Sequence, residues 1–584
     1  MATTRRDAAI QVKRGDSYHE QSRVTLSRAL VAAGHLSGVV KLQGNPTTVQ
    51  GFDILTNDKY GRKSKFTFAI ILNRLMHGRD TDLTPVRAAR RRRYAVASRD
   101  LPAGEVLVSE LPFAVGPKLD TYPLCLGCLA PVDASAVCSA CGWPVCDPDC
   151  ERLPLHADNE CAVFKAAGVR FALPAEPGAA AGTCPQYECI TPLRVLLAKE
   201  KDPARWEREV KVLMTHSDKR KANPQWGANQ VNVVDFLRKR CKLEERFSED
   251  AVHEVIGILE VNGYEARTPS GAMVLCLYPQ AAIMAHNCVP NTVHCITPTN
   301  TAGERYRIVV RAATAVAKGS ELYTSYAHTL DPTMLRREHL KLSKFFDCDC
   351  ARCADPTELG THMSSLKCTK CDNGIILSTG PLDPGAEWKC NGYNCSNALR
   401  ADQVRRVLAV VQAEQEAVDQ GETGDALALG PVEAREKLLK QYKTVFHPRH
   451  ALLLQLKHSL AQLYGRVDGY ALDDLPDILL ERKIELCKEI LSALAVVAPG
   501  MSRVRGLTLY ELHVPMILLA RSRFQTDQLS ESQLRQELTA AAKVLTEAAD
   551  ILCLEDPTTP EGSVGAMARE SLVQLQASID SLPV

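Results

Sequence analysis

Residues 285–291 read Ala285-His286-Asn287-Cys288-Val289-Pro290-Asn291, and two later stretches decide what they mean. The first is Gly319-Ser320-Glu321-Leu322-Tyr323-Thr324-Ser325-Tyr326; the second is Phe346-Asp347-Cys348-Asp349-Cys350-Ala351-Arg352-Cys353. Alone, the histidine–cysteine heptapeptide is a loop signature of modest specificity. In this order, the three stretches put a polar loop, a Gly-Ser turn feeding a tyrosine-tipped strand, and a C-x-C-x2-C metal hook on one chain. Three thiolates at that spacing can share one ion, and a structural zinc site closes with four ligands.

Working outward, the 584 residues carry 70 basic and 69 acidic side chains, a net charge of +1. That balance excludes a nucleic-acid binder working through bulk charge and leaves only a local basic patch, so direct DNA binding is not expected. No apolar run approaches the roughly 18 residues that span a bilayer, so no membrane partner is expected either. The first residues, MATTRRDAAIQVKRGD, lack the apolar core of a secretory signal. An intracellular setting follows, in nucleus, cytoplasm or both. Disulfides are rare there, so 22 cysteines call for metal.

The cysteines are clustered. None precedes Cys125; seven fall within Cys125–Cys161 and seven within Cys348–Cys395. In the first island Cys125-x2-Cys128 is followed by Cys138-x2-Cys141, Cys146, Cys150, His156 and Cys161. A C-x2-C knuckle brings two thiolates to one Zn²⁺ at about 2.3 Å, and eight ligands make two sites. Such a module has almost no core of its own, so metal binding is expected to supply its folding energy. Cys368-x2-Cys371 and Cys390-x4-Cys395 make a ribbon-like set for a further zinc. Cys184, Cys189, Cys241, Cys276 and Cys295 lack ligand spacing and read as structural thiols; Cys487 falls inside an apolar stripe and reads as core.

Between and beyond the islands the pattern changes. Residues 1–84 show no sustained periodicity and read as a weakly ordered extension with one short apolar helix around Phe66–Met76. Arg90-Arg91-Arg92-Arg93 reads first as a solvated face, with a nuclear signal or a phosphate contact as the alternatives. Val96, the turn Pro102-Ala103-Gly104 and Val106-Leu107-Val108 read as a hairpin. Tyr306, Ile308 and Val310 alternate as in a half-buried strand. From about 400 onward three leucine-rich stripes predict stacked helices. They are Leu453/Leu456/Leu460/Leu463, Leu480/Ile484/Cys487/Leu491/Leu494, and Leu534/Leu538/Ala541/Leu545/Ala548/Leu552, the last opened by a Ser530/Gln533 capping box.

The order of motifs resembles that of the SET and MYND domain (SMYD) family of protein lysine methyltransferases. The first island resembles the MYND finger, including Gly142-Trp143-Pro144-Val145-Cys146. Pro112-Phe113-Ala114-Val115-Gly116-Pro117-Lys118 before Cys-Leu-Gly-Cys is most like the arthropod branch. The resemblance implies an α+β multidomain chain: a β-rich SET domain, an inserted MYND finger and helical insert, a post-SET zinc site and a C-terminal all-helical, tetratricopeptide-like domain. The corresponding divisions are 1–84 (extension), 85–124 (SET, N-terminal part), 125–161 (MYND finger), 162–260 (helical insert), 261–330 (SET, catalytic part), 331–398 (post-SET and ribbon) and 399–584 (helices).

What the resemblance implies chemically is methyl transfer from S-adenosylmethionine to a protein lysine. Tyr326 would be catalytic. Arg91, Arg93, Asn262, Ala285, His286, Tyr326 and Phe346 would contact the cofactor, with Phe346 stacking on its adenine. The interleaved finger pairing would put Cys125, Cys128, Cys146 and Cys150 on one zinc, and Cys138, Cys141, His156 and Cys161 on another. Cys288 would join Cys348, Cys350 and Cys353 in the post-SET site, tying the active-site loop to the post-SET turn in a knot-like threading. Three zincs are implied, with Cys368, Cys371, Cys390 and Cys395 holding a fourth. Expected partners are a protein with an accessible lysine and proline-rich peptides at the finger, with the chain itself a monomer.

Three positions depart from the family. Arg92 stands where one glycine is expected to let backbone amides approach the cofactor. Ala285 replaces an asparagine. Lys344 replaces a tyrosine of the lysine channel, where a long cation repels a substrate amine unless it points to solvent. These departures favour an alternative reading, a catalytically weakened scaffold that binds peptides through its finger and helical tail.

Overall fold

The computed structural model describes residues 52–57, 63–67, 94–118, 121–172, 184–298, 305–421 and 429–582. Arg91, Arg92 and Arg93 lie outside the described residues, as does most of the extension. Two backbone segments within that extension, β1 (Phe52–Asn57) and β2 (Lys63–Thr67), form an antiparallel pair. The helix expected around Phe66–Met76 is therefore corrected at Phe66 and Thr67, which end β2; residues 68–76 are not described. Phe-Thr-Phe at 66–68 is β-forming sequence, which competes with the apolar helical reading.

The β-rich body is built from three small sheets. β1 runs beside β3 (Tyr94–Ala97) in the order β2-β1-β3-β11-β8, where β8 is Ala285–His286 and β11 is Glu321–Thr324. A second sheet takes β4 (Val106–Glu110), β10 (Ile308–Ala312) and β9 (Thr292–Ile296) in the order β4-β10-β9. A third packs β5 (Ala114–Pro117), β7 (Met273–Leu277) and β6 (Gly263–Arg267) in the order β5-β7-β6. The expected hairpin across Pro102–Gly104 is not one: β3 pairs with β1 and β11, and β4 pairs with β10. The turn exists, with Gly104 at φ 83°, but each flanking strand pairs with chain some 200 residues away, β3 with β11 (besides β1) and β4 with β10, as the Leu101–Val316 bridge also shows. Alternation around Ile308 and Val310 is as expected, with both buried in β10 and Tyr306 buried in the turn before it.

The insert contributes α1 (Glu160–Ala167), α2 (Ile190–Lys201) and α3 (Glu249–Asn262), the last capped by the Ser248 side chain. After the sheets, α4 (Thr333–Ser343) leads into the cysteine hook, and β12–β15 form a four-stranded ribbon at Leu366–Leu399. The remainder is helical: α5 (Ala401–Gln420), α6 (Pro431–Tyr442), α7 (Ala451–Leu463), α8 (Asp477–Val497), α9 (Arg503–Gln525), α10 (Glu531–Leu552) and α11 (Pro560–Asp580). The third stripe is buried along its whole length on α10, whose Ser530/Gln533 capping box is formed. Cys487 is fully buried on α8. The helices dock on the sheets, since Met501 N–H donates to Ala313 O at 2.9 Å and Arg503 reaches His294 O. Among the described residues, no helix is long and apolar enough to cross a membrane.

Candidate metal centres and active site

Four sets of ligand atoms converge, each within 4.8 Å of one another: Cys125/Cys128/Cys146/Cys150, Cys138/Cys141/His156/Cys161, Cys288/Cys348/Cys350/Cys353 and Cys368/Cys371/Cys390/Cys395. Within them sulfur pairs lie 3.5–3.9 Å apart, and every cysteine is a free thiol. Zn–S bonds of about 2.3 Å in a tetrahedron give sulfur–sulfur edges of about 3.8 Å. A disulfide needs about 2.05 Å. The geometry fits zinc in all four. Local backbone serves it too: a Cβ at Gly127 would strike Cys150 O, and one at Gly374 would strike the sulfurs of Cys371 and Cys390.

Beyond the ligands, the second finger site is braced by residues that spacing did not single out. His156 turns Nε2 toward Cys141 at 3.5 Å, and its Nδ1 meets Glu160 at 2.8 Å. Glu160 is buried and receives Arg194 through two bonds of 2.7 and 2.8 Å. Burial works to raise the Glu160 pKa, and Arg194 more than offsets it, so the carboxyl stays below its ordinary range. Arg194 also donates to Val115 O and Leu126 O, binding the finger to β5. Such a carboxylate–histidine pair orients a zinc ligand. The one available signal was Glu160 standing four residues after His156. The finger also has more core than expected. Trp143 is fully buried, stacks on Phe164 at 4.4 Å, and meets Phe171 and Tyr187 from the insert. The core is shared across the 125–161 boundary, which is why the finger's own letters did not show it.

The third cluster leads to Tyr326. Cys288 Sγ accepts from His286 Nε2 at 3.2 Å, and His286 Nδ1 accepts from the Tyr326 N–H at 2.9 Å. The Tyr326 hydroxyl donates to Met284 O at 2.5 Å. β8 and β11 pair in parallel, with Thr324 opposite His286, which brings the loop and the tyrosine together. Beneath the cluster Glu358 is fully buried between Arg336 (2.8 Å) and Arg352 (2.7 Å), and Arg336 also faces Cys353 Sγ at 3.6 Å. With Glu358 ionised between them, the two guanidiniums leave one net positive charge beside the four sulfurs, which would favour their thiolate form around a divalent ion. Arg352 lies inside the cysteine hook, but nothing in its spacing announced the role.

The remaining expected cofactor residues divide. Phe346 is half-buried, its ring 5.8 Å from that of His286. Asn262 ends α3 and spends its amide nitrogen on Met214 O (2.6 Å) and Ile258 O (3.0 Å), which leaves its carbonyl oxygen to accept from an amino group. His286 has both ring nitrogens engaged within the protein, so it positions the loop instead of offering a donor outward. Ala285 offers backbone only. Lys344 does not point to solvent. It is 5% exposed, donates to Val261 O at 2.8 Å and sits 5.7 Å from the centre of the Tyr326 ring.

Against known proteins, the SET domain-containing protein SmydA-8, isoform A, of Drosophila melanogaster is 29% identical over 319 residues, which is 53% of this chain and 63% of its own. The N-lysine methyltransferase SMYD2 of Gallus gallus is 28% identical over 272 residues, 45% of this chain and 56% of its own. The chain is similar to proteins of the SMYD family over about half of its length. Isoform B of the same Drosophila protein aligns at 29% identity over 323 residues, 52% of this chain and 64% of its own. The histone-lysine N-methyltransferase ASHR1 of Arabidopsis thaliana aligns at 26% identity over 245 residues, 40% of this chain and 45% of its own. The chain spans less than two thirds of the length of these SMYD relatives. No family model matches it. Among solved structures, the SET domain of LSMT bound to lysine and AdoHcy aligns at 12% identity over 84% of this chain and 86% of its own, with a TM-score of 0.23 that carries no weight for the fold.

Proposed function

We propose that the protein is an S-adenosylmethionine-dependent protein-lysine methyltransferase of SMYD type, acting on a histone or another protein in transcriptional regulation. The observation that carries this reading is the relay Cys288–His286–Tyr326, which holds the tyrosine beside a metal-braced loop. Bound S-adenosylmethionine supplies an electrophilic methyl on a sulfonium. The Phe346 face and the Asn262 carbonyl oxygen suit its adenine and amino groups. Tyr326, fixed through both its backbone and its hydroxyl, orients the reactants, and alignment alone contributes several kcal/mol to an in-line displacement. Proline-rich peptides at the finger, a tetratricopeptide-like tail and a nuclear or cytoplasmic site belong to the same reading. So do direct recognition of a lysine-bearing partner and a monomeric state.

Calorimetry with S-adenosylmethionine tests it first, and no binding at millimolar cofactor sinks the enzyme. Tyr326→Phe is expected to lower methylation of a lysine-peptide array about a hundredfold while zinc content stays unchanged. Equal activity would remove Tyr326 from its role. One observation favours the scaffold reading, a SET core that is weak in turnover: Lys344 is turned inward, against Tyr326.

A further inference from the structure

Lys344 has no obvious structural reason to be a lysine. Buried lysines are rare unless paired. Yet Glu265, the acid whose charge acts on it, is bound to Lys118 at 2.6 Å. What Lys344 has instead is a carbonyl, Val261 O, and an aromatic face, Tyr326. A carbonyl acceptor and a tyrosine ring are a receptor for any alkylammonium. Val261 adjoins Asn262, and Tyr326 carries the candidate catalytic hydroxyl, so the receptor lies among the residues assigned to methyl transfer.

The backbone turns sharply just after Lys344. Lys344 caps the C-terminus of α4, and Phe345 after it adopts φ 59°, in the left-handed region that favours glycine. Lys219 Nζ donates to Phe345 O at 2.5 Å and holds that turn from the insert. With the chain reversed there, Phe346 faces His286 while Lys344 faces Tyr326.

We propose that Lys344 is a built-in occupant of the amine site: its side chain fills the space beside Tyr326 that a partner's lysine must enter, and so decides which acceptors the protein takes. This rests on the methyltransferase reading. In chemical terms, methyl transfer needs a neutral amine whose lone pair forms the new C–N bond while the C–S bond breaks onto sulfur, with the proton leaving to solvent. The space is suited to such an amine, because burial pushes the Lys344 pKa down to about 7. While Lys344 holds that space, an external lysine is excluded by volume first and by charge second.

The test uses the full zinc-loaded chain as wild type, Lys344→Ala and Lys344→Met. The probe is n-butylamine, the end of a lysine side chain, followed by ligand-observed NMR. We expect binding to Lys344→Ala, no binding to wild type or Lys344→Met, and weaker binding when Tyr326→Leu is added to Lys344→Ala. Binding to wild type as strong as to Lys344→Ala overturns the proposal, and so does binding to neither. With S-adenosylmethionine and a lysine peptide, Lys344→Ala is expected to exceed wild type by about tenfold, and Lys344→Met to stay near wild type. A gain of this kind cannot come from misfolding. Equal rates with cofactor bound overturn the plug. If calorimetry finds no cofactor binding in any of the three, the enzyme reading fails by itself and the butylamine result alone decides Lys344.

Discussion

Glu358 takes four donors at once: Arg336, Arg352, the Thr333 N–H and the Ser364 hydroxyl. Although burial opposes its ionisation, the two guanidiniums hold its pKa down at about 2. Glu358→Gln would leave two buried cations facing each other, so we expect a loss of about 3–5 kcal/mol in urea unfolding. A loss under about 1 kcal/mol would mean the arginines are solvated or find other partners. Lys344 gives the opposite sign. Its folded pKa of about 7 lies below the unfolded value of about 10.4, so the unfolded chain binds an extra proton between them. Stability from this group therefore rises with pH from about 7 to about 10.4 and is lowest below pH 7. Relative to Lys344→Met, the wild type should gain stability across that window. Parallel curves for the two proteins would show that Lys344 stays protonated in the fold.

At the scale of elements, each zinc knuckle is a turn that the chain can close only where neighbours permit. Gly127 and Gly374 make way for Cys150 O and the Cys371 and Cys390 sulfurs, which a reader of the sequence could suspect from the knuckles themselves. The brace Arg194–Glu160–His156 joins α2 to the finger across 34 residues of chain and was not legible. Removing its charge tests it. Glu160→Gln is expected to weaken zinc at Cys138/Cys141/His156/Cys161 by 10–100-fold, read by competition with a chelator, and to leave the Cys125 set tight. Equal loss at both sites would mean that the finger unfolds as a unit instead. The helices were read more completely, because a stripe such as Leu534–Leu552 repeats with the helix's own period and caps itself at Ser530. The strands were read less well. β3 and β4 look like a hairpin in sequence, and only their pairing with β11 and β10 separates them.

For the whole molecule, the metal sets are joints between distant segments. Cys288 meets a hook sixty residues on, and the helical tail anchors on β9 through Arg503 and on Ala313, just after β10, through Met501. Native mass spectrometry should find four zincs per chain. Two or fewer would refute the Cys288/Cys348/Cys350/Cys353 site, whose loss would also free the Tyr326 loop.

By itself, the amino-acid sequence determined the cysteine knuckles, the motif order and the leucine stripes, since each is a matter of spacing along a few turns of chain; the pairing of the knuckles into sets, and Cys288 as a fourth ligand, came only from the family resemblance. Tertiary structure alone decided the charge partners of the zinc sites, the strand pairing and the heading of Lys344. Those depend on which segments meet, and burial then magnifies every unpaired charge and every filled space. A lysine at position 344 could be read as a departure. That it turns toward Tyr326 goes with its bond to the carbonyl of Val261, a contact made only once the C-terminal ends of α3 and α4 meet.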